Sequence, residues 1–186
     1  GASAAISSSP DEVARADALI LPGVGHFKDG MLSLTGSGLG EAVREAVLKR
    51  GSSLLGICLG MHLIAEEGHE GGLASGLGLM PTSIQLLESD DPGFRLPHIG
   101  WNEVDCRPGS VLFKGLPKRP DLYFVHSYHS VCADESHVAA TCPYAGGFTA
   151  AVEKAPVFAV QFHPEKSQRF GLKILKNFID YCGSRA

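Results

Sequence analysis

The chain has no apolar run long enough to cross a membrane, and no basic stretch followed by an apolar one stands at its start. We therefore expect neither a membrane span nor a signal peptide. Basic residues are in the minority, with 16 Lys and Arg against 20 Asp and Glu and a net charge of −4. A chain without a basic face neutralises few phosphates, so nucleic acids and membrane surfaces are not the expected partners.

Cysteines are few and scattered. The five cysteines form no C-x-x-C pair and are odd in number, which predicts neither a disulfide framework nor a zinc site. We expect no metal, no cofactor and a reducing, cytoplasmic location. No repeat, low-complexity tract or linker divides the 186 residues, so we expect one domain over residues 1–186.

The most informative stretch is GICLG at residues 56–60, which follows a short apolar run and precedes a helical pattern. This G-x-nucleophile-x-G layout is typical of a nucleophile elbow, with Cys58 as the nucleophile. The turn is so sharp that side chains at Gly56 and Gly60 would collide with the backbone. The sulfur would lie at a helix N-terminus, where the dipole favours the thiolate. The alternative is a buried structural cysteine between two packing glycines.

A second segment, QFHPEKS at residues 161–167, follows a buried strand pattern. His163 stands at the end of that strand, Pro164 stops it, and Glu165 is near enough to turn its carboxylate to the imidazole. A cysteine nucleophile needs a base, and the base needs an orienting acceptor. The alternative is a turn with Glu165 as a solvated charge. Together with the elbow, the segment favours a triad of Cys58, His163 and Glu165.

An acyl-transfer site also needs hydrogen-bond donors for the developing oxyanion. The backbone N–H of Leu59 is one candidate. The loop GVG at residues 23–25, with Val24 at its centre, is expected at the end of a neighbouring strand and is the natural source of the second. The alternative is a tight turn whose glycines serve geometry only.

The spacing of apolar residues predicts an α/β fold. A buried strand at 17–21, an amphipathic helix at 40–50 and the strand before Cys58 suggest a parallel sheet with helices on its faces. A short strand at 4–8 and a helix capped by Ser9 precede them. An amphipathic helix is expected at 171–181. Short strands of an antiparallel section are expected at residues 82–86, 101–105, 122–126, 138–142, 148–152 and 157–161.

Five segments together resemble the class I, triad-type glutamine amidotransferases, and among these the glutaminase subunits of imidazole glycerol phosphate synthase. They are PGVG at 22–25, GICLGM at 56–61, PHIGWN at 97–102, YFVHSY at 123–128 and QFHPEKS at 161–167. The resemblance covers nearly the whole chain. It implies a flavodoxin-like, mostly parallel sheet with helices on both faces and a smaller antiparallel section.

The resemblance implies a glutaminase of histidine biosynthesis. Cys58 would attack the side-chain amide of glutamine, His163 would protonate the departing ammonia, and water would release glutamate. Ammonia would pass through a channel to a (β/α)8-barrel cyclase, the heterodimer partner, which makes imidazole glycerol phosphate and an aminoimidazole carboxamide ribonucleotide. By motif, the family roles predict that Gly25, His126, Ser127 and Tyr128 contact glutamine. His62 is predicted to contact it as well, as a hydrogen-bond donor at a position where the family usually has another residue. The same family roles predict that the surface facing the partner contains Trp101, Asn102, Tyr123 and Lys166. Ordinary packing is the alternative for each of these side chains.

Val24 suggests a latch. A β-branched residue between two glycines could hold its peptide in the wrong orientation until the partner binds its own substrate, and a flip would then aim an N–H at the oxyanion. This hypothesis is motivated by the resemblance, and it predicts low glutaminase activity for the chain in isolation.

Two features depart from the family pattern. The family usually has glutamine four residues after the nucleophile, where this chain has His62, a residue that could titrate near neutral pH. The family also begins with a strand and helix carrying a Tyr-Gly-x-Gly-Asn segment, and this chain starts after that unit. In a sheet of order 2-1-3-4-5 the missing strand would be an interior one, so we expect unpaired strand edges and an uncovered apolar face.

Three other functions are compatible with the sequence. One is a related amidotransferase subunit with a different ammonia acceptor, as in an amino-sugar pathway. Another is a non-catalytic homologue that only binds a partner, against which the intact triad argues. An unrelated cysteine hydrolase would leave the segments around Trp101 and His126 unexplained. The glutaminase subunit is the leading prediction.

Overall fold

The strand that ends at Cys58 lies in the middle of the fold, and all six of its residues are buried. The computed structural model describes residues 2–185. Its helices are α1 (Pro10–Arg15), α2 (Phe27–Gly36), α3 (Leu39–Arg50), α4 (Leu59–Leu63) and α5 (Gln168–Gly183). Its strands are β1 (Ala18–Gly23), β2 (Ser53–Cys58), β3 (Glu67–Gly68), β4 (Ala74–Ser75), β5 (Thr82–Leu86), β6 (His98–Glu103), β7 (Asp105–Cys106), β8 (Asp121–His126), β9 (Tyr128–Cys132), β10 (Val138–Cys142), β11 (Phe148–Lys154) and β12 (Val157–Val160).

One mixed sheet contains most of the strands, in the order β1-β2-β12-β11-β9-β5-β3-β4. β1 and β12 both pair in parallel with β2, so the cysteine strand has a parallel neighbour on each side. Beyond β12, the strands β11, β9 and β5 pair antiparallel, and β10 and β7 branch from β11. β6 and β8 form a separate antiparallel pair, here named the β6–β8 ribbon.

Two hydrophobic cores lie on opposite faces of the sheet, because alternate side chains of a strand point in opposite directions. On β2, Leu55 and Ile57 face the core that Ile174 and Phe178 of α5 complete. Leu54 faces the other core, to which α2, α3 and α4 contribute. Helices therefore cover both faces of the sheet, and the carboxyl end of β2 emerges between them.

The predicted α/β class, the helices on both faces and the combination of parallel and antiparallel sections are confirmed. The antiparallel section contains more strands than the sequence suggested. β9 was not among the predicted strands, since His129 and Ser130 interrupt its apolar alternation. The predicted helices at 40–50 and 171–181 correspond to α3 and α5, and Ser9 caps α1 by accepting from the backbone N–H of Glu12.

The predicted strand at 4–8 is wrong. Those residues form no strand, and Ile6 is fully exposed. A strand needs a hydrogen-bonded neighbour, and within residues 2–185 β1 pairs only with β2. The outer edge of β1 is accordingly open in that part of the chain, and its Ile20 is 47% exposed.

The single domain expected over residues 1–186 includes Gly1 and Ala186, which lie outside the described residues. Among residues 2–185, none of the helices combines the length and the apolar character needed to cross a membrane.

Replacing Gly60 by alanine should lower the free energy of unfolding by about 3 kcal/mol, as at strongly overpacked sites. The added Cβ would overlap the carbonyl oxygen of Leu21, a backbone atom that cannot rotate away. Gly36 in α2 is the matched control, because an added Cβ meets no atom within 4 Å there, and its alanine variant should match or exceed wild type by up to about 1 kcal/mol. Urea unfolding measures both; equal midpoints for the two variants would contradict the close approach.

Candidate active site

Cys58 lies on a strained turn between β2 and α4, with φ 52° and ψ −111°. Few residues with a side chain adopt such torsions, and they persist where the surroundings enforce them. The enforcement comes from the flanking glycines: a Cβ at Gly56 would lie 2.7 Å from the carbonyl oxygen of Gly60, and one at Gly60 would overlap that of Leu21. The elbow geometry predicted from the pentapeptide is therefore present.

The thiol of Cys58 is buried rather than ionised. Its side chain is only 6% exposed, and Sγ lies 4.0 Å from the carbonyl oxygen of Val125. Burial raises the pKa of the thiol to about 11, and the charge of Glu165 adds to the rise, while the N–H of Leu59 and the charge of Lys166 lower it. The N-terminus of α4 favours the thiolate through the N–H of Leu59, as expected, but desolvation by burial is the larger effect, so the pKa is raised rather than lowered.

His163 is held at the same sheet edge by the β6–β8 ribbon and a serine. β12 pairs with β2 in a register that sets Val160 beside Ile57, so the segments after both strands emerge together. The backbone N–H of His163 donates to the carbonyl of Tyr123 over 2.9 Å. Ser167 Oγ donates to the carbonyl of His163 over 2.7 Å and accepts from the N–H of Tyr123 over 3.0 Å. Ser167 is a supporting residue that sequence reasoning did not single out.

The imidazole of His163 is oriented as a base. Its Nδ1–H donates to Glu165 Oε1 over 2.7 Å, so in the neutral imidazole the acceptor nitrogen is Nε2. Nε2 is buried and has no partner among the described residues. Glu165 itself is half exposed. The arrangement supplies an unsatisfied acceptor at the sheet edge where β2 ends in Cys58. No hydrogen bond joins Nε2 to the sulfur of Cys58 among the described residues, so the contact that a nucleophile and its base require is not formed in this structure.

A cavity of about 270 Å³ opens onto Cys58. Its wall includes eight of the residues predicted for the site, namely Val24, Gly25, Cys58, Leu59, His62, His126, Ser127 and Tyr128. The register explains why Val24 is there: Gly23 is the β1 partner of Cys58, so the loop after β1 begins beside the sulfur. A second cavity of about 1090 Å³, between segment 106–118 and α5, has none of the predicted residues in its wall.

Glu70, Pro97 and Val125 also line the small cavity and were not predicted. Glu70 is fixed by the N-terminus of α2, where its Oε2 accepts from the N–H of Phe27 over 2.7 Å. Glu70 lies in a glycine-rich segment without secondary-structure periodicity, so its negative charge was the one signal of a functional role in the sequence.

Comparisons with known proteins identify the family. The model of the family "Glutamine amidotransferase class-I" matches residues 3–181. "Imidazole glycerol phosphate synthase subunit HisH 1" of Campylobacter jejuni is 45% identical over 174 residues, which cover 94% of this chain and 86% of the relative. The chain belongs to the HisH family of class I glutamine amidotransferases. The resemblance seen in the motifs is confirmed.

Further relatives and solved structures are consistent with this family and its fold. "Imidazole glycerol phosphate synthase subunit HisH" of Moorella thermoacetica is 46% identical over 174 residues, covering 93% of this chain and 80% of the relative. Among solved structures, a putative GMP synthase protein from Thermoplasma acidophilum superposes with a TM-score of 0.70 at 23% identity, over 95% of this chain and 77% of that one. A crystal structure of a glutamine amidotransferase gives 0.71 at 20% identity, over 95% and 85%. These structures establish the fold.

His62, the departure from the HisH-family pattern, behaves differently from expectation. It is buried, and its Nε2–H donates to Oε1 of the buried Gln161 over 2.8 Å. Burial lowers the pKa of His62 to about 4, so the expectation that it titrates near neutral pH is wrong. It lines the cavity as a neutral imidazole.

Three of the four residues predicted to face the partner lie together on the surface of this HisH-family chain, with Trp101 and Lys166 exposed and Tyr123 partly buried. The rings of Trp101 and Tyr123 pack edge to face with centroids 5.8 Å apart, and Lys166 Nζ lies 5.7 Å from the centre of the Tyr123 ring. Ile99, two residues before Trp101 on the same strand face, is also exposed. Asn102 is separated from them: its side-chain amide turns to the opposite face of β6 and donates to His98.

In residues 2–185, no group of three or more His, Cys, Asp or Glu side chains is arranged to hold a metal ion.

Alkylation of Cys58 by iodoacetamide should be slow near neutral pH and should rise about tenfold per pH unit from about pH 7 to 9.5, because only the thiolate reacts and the pKa of the thiol is raised to about 11. Mass spectrometry of the Cys58 peptide gives the rate, and Cys58→Ala identifies the peptide. A rate that already levels off near pH 8 would show a pKa below the ordinary value.

Proposed function

We propose that this chain is a glutaminase subunit of imidazole glycerol phosphate synthase, with Cys58, His163 and Glu165 as its catalytic triad. The observation that carries the proposal is that a cysteine on a strained turn and a histidine oriented by a carboxylate follow two neighbouring parallel strands, at the same edge of the sheet. His163 Nε2 is the buried acceptor without a partner among the described residues, and Nδ1 is held by Glu165. The cavity of about 270 Å³ beside Cys58 suits one amino acid.

The chemistry follows from the protonation states. Cys58 rests as a neutral thiol, and His163 Nε2 takes its proton as sulfur attacks the side-chain carbonyl of glutamine. The C–N bond then breaks, His163 returns the proton to nitrogen, and ammonia leaves a glutamyl thioester. Water, deprotonated by His163, cleaves the C–S bond and restores the thiol. One glutamine and one water give one glutamate and one ammonia, and Glu165 stabilises the imidazolium at each stage.

The oxyanion would be held by two backbone N–H groups. Leu59 supplies the one directly after the nucleophile. The loop centred on Val24 supplies the other, because Gly23 is in register with Cys58. The side chain of Val24 is 75% exposed, and Gly25 has φ +106°, a torsion that favours glycine. A peptide flip at Val24 on partner binding is part of the proposal, since little packing opposes it.

Glu70 would bind the α-ammonium of glutamine. It is the one carboxylate that the described residues place in the wall of the cavity, and its side chain is 16% exposed. Its nearest cationic candidate, His26 Nε2, is 3.9 Å away. A substrate ammonium would complete the charge pairing of a largely buried carboxylate.

The partner surface would be the patch formed by Ile99, Trp101, Tyr123 and Lys166. Exposed aromatic and apolar side chains rimmed by a cation are typical of protein interfaces. The relatives are named as subunits of imidazole glycerol phosphate synthase, which supports a cyclase partner over the acceptor of an amino-sugar pathway. Delivery of ammonia through a channel to a (β/α)8-barrel cyclase, in the cytoplasm, completes the proposal.

Glutamate release from glutamine tests both the triad and the proposed peptide flip at Val24. The chain would be assayed alone, with the cyclase partner, and with partner plus its ribonucleotide. We expect release chiefly in the last condition, and a loss of more than about 10³-fold in Cys58→Ala, because the nucleophile is absent. Release by Cys58→Ala at the wild-type rate would refute the triad. Rapid release by the isolated chain would refute the peptide flip at Val24 on partner binding. No release under any condition, from a folded chain, would favour a non-catalytic homologue.

Glu70→Gln should raise KM for glutamine about 30-fold, equivalent to about 2 kcal/mol, with a smaller change in kcat. The variant keeps an oxygen for the N–H of Phe27 but removes the charge. Glu67→Gln is the matched control, because Glu67 lies on the neighbouring β3 with a half-exposed side chain and outside the cavity wall. Steady-state kinetics of the partner complex decide; an unchanged KM for Glu70→Gln would remove Glu70 from the substrate site.

A further inference from the structure

A row of buried and partly buried hydrogen bonds joins the β6–β8 ribbon to the small cavity. Asn102 Nδ2 lies 2.7 Å from His98 Nε2, His98 Nδ1 lies 2.9 Å from His126 Nε2, and His126 Nδ1 lies 2.9 Å from the carbonyl oxygen of Tyr128. His98 and His126 are cross-strand partners in the ribbon. None of these contacts involves Cys58, His163 or Glu165.

The chemistry of the two ends fixes the direction of every bond in the row. The carbonyl of Tyr128 can only accept, so His126 carries its proton on Nδ1 and leaves Nε2 bare. That bare nitrogen must receive a proton from His98 Nδ1. His98 Nε2 is therefore bare and accepts from the amide of Asn102. The result is one consistent row, Asn102 to His98 to His126 to Tyr128, with both imidazoles neutral.

Packing keeps His98 in this orientation. Its side chain is 2% exposed, and its ring stacks on Tyr144 with centroids 4.0 Å apart and planes 16° apart. Phe124 and Phe148 flank it at 5.0 Å and 5.6 Å. Burial lowers the pKa of His98 to about 4 and that of His126 to about 3, so both rings stay neutral across the physiological range, as the row requires.

We propose that His98 is a positioning residue of the glutamine site: through His126 it holds the backbone of Ser127 and Tyr128 in place, and through Asn102 it ties that backbone to the strand that carries Trp101. Both nitrogens of His126 are bonded inside the protein, so His126 meets the substrate without a free ring nitrogen. Its polar function is to clamp the carbonyl two residues on, across the bend at Ser127. Ser127 and Tyr128 form part of the cavity wall. The inference rests on the proposed function for its kinetic consequence.

Two substitutions at His98 separate hydrogen bonding from packing. His98→Phe keeps a planar ring for stacking on Tyr144 but removes both hydrogen bonds. His98→Gln loses the stacking but offers a donor for His126 and an acceptor for Asn102. With the partner complex, we expect His98→Phe to raise KM for glutamine about tenfold, with kcat changed by less than about twofold, and His98→Gln to recover most of the loss. An unchanged KM in His98→Phe, or an equal rise in both variants, would overturn the proposal.

A double-variant cycle tests whether the row acts as a unit. Asn102→Ala should raise KM by a smaller factor than His98→Phe, and the two changes together should equal His98→Phe alone, because the second removes a bond that the first has already lost. Additive effects would mean that Asn102 and His98 act independently, against the proposal.

Nitrogen NMR of the imidazoles gives a readout that does not depend on turnover. In the chain without glutamine, both His98 and His126 should carry the proton on Nδ1, and the Nε2 signal of His126 should shift in His98→Phe as it loses its donor. A proton on Nε2 of His126 in wild type would overturn the row. If wild type releases no glutamate with its partner, the proposed function fails, while this measurement still decides the role of His98.

Discussion

The close approach of backbone to backbone at Gly60 is the constraint on which the active site depends. The first turn of α4 packs so near the carbonyl of Leu21 that no side chain fits between them. This contact joins α4 to β1, while the pairing of β1 with β2 sets Gly23 beside Cys58. The buried sheet around Cys58 stabilises the fold enough to maintain its unfavourable torsions. Because the core is closely packed, the turn has no room to relax to other torsions. Nucleophile and neighbouring loop are thereby fixed by the same few residues.

Burial keeps Cys58, the proposed nucleophile, as a neutral thiol at rest. A thiol with a raised pKa carries almost no thiolate at neutral pH, so it is protected from alkylation and oxidation at rest. In the proposed mechanism the thiol is activated by His163, whose Nε2 has no partner among the described residues and whose Nδ1 is bonded to Glu165. Glu165 acts in two opposite ways: its charge disfavours a lone thiolate but favours the ion pair of thiolate and imidazolium. Reaction is therefore coupled to proton transfer rather than to a standing charge.

The sequence was most informative where the candidate site is formed by residues that are neighbours in the chain. The elbow around Cys58 and the His163–Glu165 pair are local, and their strands pair in parallel, so the α/β class, the elbow and the bond between His163 and Glu165 could be predicted. Their joint action as a triad stays a prediction. Glu70 could not, because it lies in a turn without periodicity and is positioned by a bond to Phe27, far away in the chain. The bonds of His98 could not, because they arise from the register between β6 and β8. Asn102 was misplaced for the same reason: only the pairing with β8 shows which face of β6 turns inward. The strand predicted at 4–8 had the right composition but no neighbour among the described residues.

The β6–β8 ribbon has two different faces because side chains alternate along a strand. On the outer face, the exposed ring of Trp101 packs against the partly buried ring of Tyr123. On the inner face, His98 and His126 are buried, and His126 lines the cavity. The two faces belong to the same pair of strands, and the carbonyl of Tyr123 also accepts from the backbone N–H of His163. A partner on the proposed outer surface would therefore contact the same strands that carry His126 of the cavity wall and that hold the backbone of His163, the proposed base.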